Sequence, residues 1–215
     1  GSGCGGAEGI ICAIDGAVYN TAELADVLGL SPEESSESIL AHGFRRWGTD
    51  LASRLRGEFV AVVWDEAGQR GALIQDQIGV KRLFVRSEGR RLWFGSDVRN
   101  LLALLPSRPG PNPVAVSHWL ARSQPPRGAT LYAGIDSLES GHMVILEEDG
   151  WELRRYWRPE YREALDVPHE ELIDQIRSVL RRSVERRTTR GAPTGVLMSG
   201  GLDSTSVAVF AVSSV

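Results

Sequence analysis

Cysteine is scarce in this sequence: Cys4 and Cys12 are the two thiols among 215 residues. Two cysteines make no disulfide framework, and no metal-ligand spacing surrounds them. A reducing, cytoplasmic setting is the expectation for such a chain. An apolar run of membrane-spanning length is missing, as is a signal peptide, so no membrane span is expected. A long basic run is missing as well, and the formal net charge is -4, which argues against a nucleic-acid partner. The densest basic stretch, residues 181–190, puts Arg181, Arg182, Arg186 and Arg187 on one helical face that reads as solvated. Internal repeats and low-complexity segments are absent. So is an initial Met: the chain starts Gly-Ser-Gly-Cys-Gly-Gly, which reads as a flexible lead-in. Its last residues read as a domain cut short, so the chain is expected to be a piece of a longer protein.

What is present is ordinary for a globular chain, with 42% hydrophobic and 24% charged residues. Residues 10–14 read as a short buried strand. Thr21 is a candidate N-cap for the helix carrying Leu24 and Leu28. Ile39, Leu40, Phe44 and Trp47 form one helical stripe closed by Gly48. Three hairpins follow from apolar runs joined by turn residues: 59–64 with 72–75, a second turning at 87–89, and a third turning at Asp149-Gly150. Asp97 caps a helix holding Val98, Leu101, Leu102 and Leu105. Asn112 followed by Pro113 supplies a cap and a first helical residue. Locally paired strands interspersed with helices predict an α+β domain of antiparallel sheets with helices packed on them, over residues 1–157.

Residues 158–171 are polar, contain two prolines and read as a linker. Beyond them, Leu172, Ile173, Ile176, Leu180 and Val184 make a helical stripe. Residues 191–194 break it, residues 195–198 read as a buried strand, and a helix follows a glycine turn. Helix, strand, glycine turn and helix in that order is how a parallel α/β sheet begins. The turn is Ser-Gly-Gly-Leu-Asp-Ser-Thr, residues 199–205. Two glycines let backbone amides approach an anion, and the helix N-terminus adds partial positive charge. Ser199, Ser204 and Thr205 offer hydroxyls. Asp203 would repel a bare phosphate, so its presence points to a bridging Mg2+. The Gly-Lys-Ser/Thr of the Walker loop is absent.

This turn resembles the pyrophosphate loop of ATP pyrophosphatases, which adenylate a substrate oxygen and release pyrophosphate. The resemblance implies that Ser199, Gly200, Gly201, Asp203, Ser204 and Thr205 bind ATP and its pyrophosphate, and that Asp203 holds Mg2+. Upstream, Gly57, Phe59, Trp64, Asp65, Asp76, Gly79, Lys81, Leu83, Phe94, Ser96 and Leu101 fit the pattern of the glutaminase-type domain of asparagine synthetases. Residues 15–20 match that family's N-G-E-I-Y-N segment, and residues 131–146 match its approach to the linker. In all, residues 10–215 resemble the family. Most matched positions read as turns or core, and Lys81 reads as a solvated charge.

Departures from the pattern fall on the glutaminase chemistry. An active member uses an N-terminal Cys whose own amino group is the base. Here Cys4 is not terminal, and Cys12 lies in an apolar strand, where it reads as a small buried side chain. The stretch that normally precedes this region is absent, with the Arg that binds the glutamine carboxylate. Asp15 stands where the family's oxyanion-hole Asn is expected, and a carboxylate repels an oxyanion. Ser36 stands where an Asp grips the glutamine amino group. Glutaminase-degenerate relatives are known in this family, the β-lactam synthetases and the cyclases of lasso peptides.

The resemblance therefore implies an Ntn-type, layered αββα domain over 1–157, N-terminally incomplete and glutaminase-inactive. A linker over 158–171 leads to the start of a parallel α/β ATP-pyrophosphatase domain over 172–215. The implied function is an ATP- and Mg2+-dependent ligase that activates a carboxylate as an acyl-adenylate and forms an amide. An intramolecular macrolactam cyclase of the lasso type is favoured, with a small-molecule or peptide carboxylate as substrate and a precursor peptide and leader peptidase as partners. This fragment alone is expected to be inactive. The alternatives are a glutamine-hydrolysing asparagine synthetase truncated at its N-terminus, and a non-catalytic scaffold.

Overall fold

Phe59, Ala61 and Val63 face one side of their strand and Val60 and Val62 the other, and both sets are apolar. A strand of that kind must be covered on both faces. The computed structural model places it at the centre of such a sandwich. The structure describes residues 2–7, 9–161, 167–188 and 193–214. They fall into two units, residues 1–159 and 160–215.

The first unit runs β1 (Ser2–Ala7), β2 (Ile10–Val18), α1 (Thr21–Leu28), α2 (Ser36–Trp47), a 3-10 turn (Gly48–Asp50), α3 (Leu51–Arg54), β3 (Gly57–Asp65) and β4 (Arg70–Gln75). It continues with β5 (Phe84–Glu88), β6 (Arg91–Gly95), α4 (Val98–Leu104), α5 (Pro113–Leu120), β7 (Asp136–Ser137), β8 (His142–Glu147) and β9 (Gly150–Arg155). One antiparallel sheet has six strands in the order β1-β2-β3-β4-β8-β9, and a second has three in the order β6-β5-β7.

Three apolar seams separate four layers, helices, large sheet, small sheet and helix, which is the αββα arrangement expected. In the first seam, Ile39, Leu40 and Phe44 of α2 pack on Cys12, Ile14, Phe59, Ala61, Ile74 and Ile145 of the large sheet. Val60, Leu73 and Val144 on the other face of that sheet meet Val85, Leu92 and Phe94 of the small one. Leu101 and Leu105 then cover Phe84 and Trp93 on its far side. Alternation along β3, β4 and β8 feeds the first two seams in turn, so a one-residue slip would expose both.

Caps end the helices largely where the side chains dictate. Ser35, Asp97 and Asn112 accept from the amides of Ser38, Arg99 and Ala115, and Gly48 closes α2 at φ +57°. Thr21 is not a cap. It is the first residue of α1, and Asn20 holds the cap position without a side-chain capping bond. The Asn20 amide is occupied elsewhere: it donates to the Arg54 carbonyl and accepts from the Arg56 amide, both at 2.9 Å. The glycine-rich start, expected to be flexible, pairs as β1 with β2, from Ser2 opposite Asp15 to Ala7 opposite Ile10. The outer edge of β2 offers it a ladder of backbone partners that outweighs glycine's poor strand propensity. At the opposite edge, β9 is exposed along its whole length.

The end of β4 ties the sheets to the loops. The Gln75 side chain accepts from the Leu83 amide at 2.7 Å and donates to the Leu138 carbonyl at 3.1 Å. Asp76 is fully buried. Its carboxylate accepts from the amides of Ile78, Gly79, Val80 and Lys81 at 2.7–3.1 Å. Gly79 sits at φ +70°, where the turn needs the left-handed region.

In the second unit, α6 (His169–Glu185) and α7 (Leu202–Ser214) pack on one another. Helix α6 begins inside the 158–171 stretch read as linker, and residues 162–166 of that stretch lie outside the described residues. Of the break at 191–194, residues 191 and 192 lie outside them too. The strand expected at 195–198 does not form, and Leu197 is 97% exposed. A strand requires a neighbour, and the described residues of this unit contain no other strand for it to join.

Replacing Asp76 by Ala strips four amides of their acceptor in a buried turn. The variant should lose roughly 3 kcal/mol or more of stability in urea denaturation. Asp76→Asn keeps one carbonyl oxygen for three of those amides and should lose markedly less. Equal losses would deny the carboxylate this role.

Candidate functional site

Two places carry the residues singled out from the sequence. The first is the inter-sheet face of β2. Asp15 lies there, because Ile14 before it points into the helix-side seam. Its Oδ1 is 2.9 Å from Lys81 Nζ, and the two side chains are 30% and 42% exposed. Lys81, read from the sequence as a solvated charge, is therefore an ion-pair partner. Its backbone is placed for that by the Asp76 turn, which takes the Lys81 amide at 3.0 Å. A pair this exposed is worth about 1 kcal/mol at most. The pair sets a positive charge directly against the Asp15 carboxylate. No sequence rule links residues 66 apart, so this partner could not be found from spacing.

Ser36 is the first residue of α2 and is half-buried. Its helix packs on the β2 face that carries Cys12 and Ile14, opposite to Asp15. Cys12 is fully buried in that seam. Burial, reinforced by the nearby Glu37 and Cys4, pushes its thiol up from 9.0 to about 12. A thiol held neutral in a packed core is no nucleophile. Cys4 is exposed on the edge strand β1. The geometry thus brings Asp15 to Lys81, and of the two thiols it buries Cys12 and leaves Cys4 exposed on an edge strand.

The second place is the turn that opens α7. Gly200 adopts φ +80°, a conformation that disfavours any side chain. The Ser199 and Ser204 hydroxyls lie 3.1 Å apart, and the Ser199 amide donates to Ser204 Oγ at 3.2 Å. Thr205 Oγ1 donates to the Gly201 carbonyl at 2.8 Å, and the Gly201 amide donates to Ser199 Oγ at 3.4 Å. Asp203 stands exposed in the first turn of the helix. Ser199, Gly200, Gly201, Asp203, Ser204 and Thr205 are thus contiguous around one helix N-terminus. Hydroxyls and amides there suit phosphate oxygens, and a lone carboxylate suits Mg2+, which completes its shell with water and phosphate. Among the described residues no group of three His, Cys, Asp or Glu is gathered for a metal. No helix there is long and apolar enough to cross a membrane.

Comparison with known proteins bears on both places. The model of the family described as "Glutamine amidotransferase domain" matches residues 6–157, and that of "Asparagine synthase" matches residues 175–214. Among curated proteins, the chain is 29% identical over 203 residues to "Asparagine synthetase [glutamine-hydrolyzing] 3" of Bacillus subtilis, covering 92% of this chain and 33% of that one. It is 29% identical over 213 residues to "Amidase chry2" of Gibberella zeae, covering 93% and 30%. The chain spans about a third of the length of these relatives. Among solved structures, the glutamine phosphoribosylpyrophosphate amidotransferase of B. subtilis aligns over 95% of this chain and 44% of that one, at TM-score 0.46 and 16% identity.

The thiols give a direct check. Iodoacetamide at about pH 8 should modify Cys4 and leave Cys12 untouched until the protein is unfolded. Intact mass should show one adduct folded and two unfolded. Because the folded Cys12 thiol is raised, the unfolded chain loses this proton first. Stability should therefore fall as the pH climbs from 9.0 towards about 12, an effect that Cys12→Ala removes. Rapid labelling of Cys12 in the folded protein would contradict the burial.

Proposed function

The chain belongs to the asparagine synthetase family, and on that premise we propose that the whole protein is an ATP-dependent ligase that forms amide bonds without hydrolysing glutamine. A carboxylate attacks the α-phosphate of ATP, pyrophosphate leaves, and an amine then takes the acyl group and releases AMP. The observation that carries the activating half is the turn at the head of α7, with its left-handed Gly200 and its paired Ser199 and Ser204 hydroxyls. In this reading the Gly200 and Gly201 amides and those hydroxyls hold the leaving pyrophosphate. Asp203 holds Mg2+, which would supply charge neutralisation between the phosphates. The protein's share of the work is positioning and electrostatics.

The Asp15–Lys81 pair supports the second half of the reading. An ion pair occupying the oxyanion position, with Cys12 sealed in the core, favours an amine that arrives on the substrate itself. That is the logic of an intramolecular, lasso-type cyclase acting on a peptide carboxylate, with a precursor peptide and its leader peptidase as partners. The domain division that goes with it is 1–157, 158–171 and 172–215. One observation favours a second reading, glutamine-dependent asparagine synthesis: relatives such as that of B. subtilis bear the name of glutamine-hydrolysing enzymes.

The full-length protein separates these readings. ATP–pyrophosphate exchange should depend on a carboxylate substrate and should fall roughly 10²-fold in Asp203→Asn. Glutamine hydrolysis should stay at background. Measurable glutaminase activity would establish the second reading. Absence of both exchange and ATP binding with every carboxylate tried would make the protein a scaffold.

A further inference from the structure

Arginines of the first unit are mostly engaged. Arg46, Arg86 and Arg90 donate to backbone carbonyls. Arg56, Arg70, Arg99 and Arg154 have carboxylate partners. Arg54 lies over the Trp47 ring and Arg108 over Tyr132. Four whose guanidinium groups have no hydrogen-bond or ion-pair partner among the described residues line one cleft: Arg82, Arg127, Arg155 and Arg158. The cleft has a volume of about 850 Å³ and opens between the loops that follow β4, α5, β7 and β9. Glu139 is the one acidic residue among its walls, so they carry three formal positive charges, four arginines less one glutamate, in a chain of net charge -4.

Converging in a concave surface, these four lack, among the described residues, the carbonyl and carboxylate partners their neighbours have found. Guanidinium is weakly hydrated and binds carboxylates through two parallel bonds. The rest of the wall mixes polar side chains, among them Gln77, Gln124 and Ser140, with Trp157, 37% exposed, and prolines at 125, 126 and 159. Two features favour an extended ligand over a compact phosphate. The arginines come from three separated segments, so the charge is spread along the walls. No helix N-terminus opens into the cleft to supply the amide cradle that a phosphate cluster uses.

We propose that this cleft binds an acidic peptide segment, whose carboxylates are taken by Arg82, Arg127, Arg155 and Arg158 and whose apolar side chains lie on Trp157. The occupant is an extended strand rich in Asp and Glu with an occasional aromatic residue. Binding here is separate from the chemistry of the glycine turn.

Fluorescence anisotropy of the full-length protein with a labelled Glu/Asp-rich peptide tests it. The control peptide has the same sequence with every acid replaced by its amide. The acidic peptide should bind, the amide peptide should not, and affinity should weaken as salt rises from about 50 to about 300 mM. Arg82→Ala with Arg155→Ala should lower affinity roughly tenfold or more. Arg181→Ala with Arg186→Ala, which removes the same charge from exposed positions on α6 and at its C-cap, should leave it unchanged. All four side chains are exposed, and circular dichroism checks that both double variants stay folded. Equal binding of the two peptides, indifference to the Arg82 and Arg155 changes, or no binding at all would overturn the proposal. So would inorganic tripolyphosphate binding with that arginine dependence while the peptide fails, which would give the cleft to a small phosphate anion.

Discussion

One carboxylate, that of Asp76, holds together most of what is distinctive in the first unit. It ends a strand buried on both faces and gathers four amides of the next turn. Gln75 beside it fixes Leu83 and Leu138, which belong to the seam between the sheets. Tyr156 adds its hydroxyl to the Gln75 carbonyl at 2.6 Å, and burial, with the nearby Asp76 charge, keeps that phenol protonated well above its usual range. Small sheet, connecting loop and the end of β9 thus depend on two adjacent residues. A buried charge is tolerated here because its hydrogen bonds are supplied by the backbone itself.

That turn also decides where two neighbouring side chains go. Lys81 is brought to Asp15 as an ion pair, while Arg82, the next residue, lines the arginine cleft. Adjacent residues of one turn therefore serve two different surfaces, one neutralised and one left cationic. The glycine turn of the second unit draws its properties from its own residues, through a left-handed Gly200 and the hydroxyls of Ser204 and Thr205, which reach back three and four residues to the Gly201 carbonyl.

Much of this was legible in the sequence wherever a local pattern fixes the answer. Hairpins at 57–75, 84–95 and 142–155 follow from alternation and from turn residues such as Gly89 and Gly150. Asp97 and Asn112 announce their helices because capping is a contact within three residues. The same locality explains the failures. Asn20 was lost as a cap to partners more than thirty residues away, and Lys81 found Asp15 across the fold. Nothing in glycine-rich residues 2–7 says that the neighbouring strand has a vacant edge. Residues 195–198 have a strand's composition, yet composition does not supply a neighbour to pair with. The αββα layering came from resemblance, and the three apolar seams bear it out in physical detail.

Strand β9 has a consequence of a different kind. It ends the large sheet and turns a row of backbone donors and acceptors towards solvent, with Trp151 and Leu153 exposed beside them. Such an edge is a template on which a foreign strand could extend the sheet. Glu152, Arg154 and Arg155 occupy half of its six positions, and Glu152 and Arg154 are paired with each other. An incoming strand would have to strip water from those charges. Charges on an edge strand work as gatekeepers against aggregation, so neutralising them would turn this edge into a nucleation site of sheet growth.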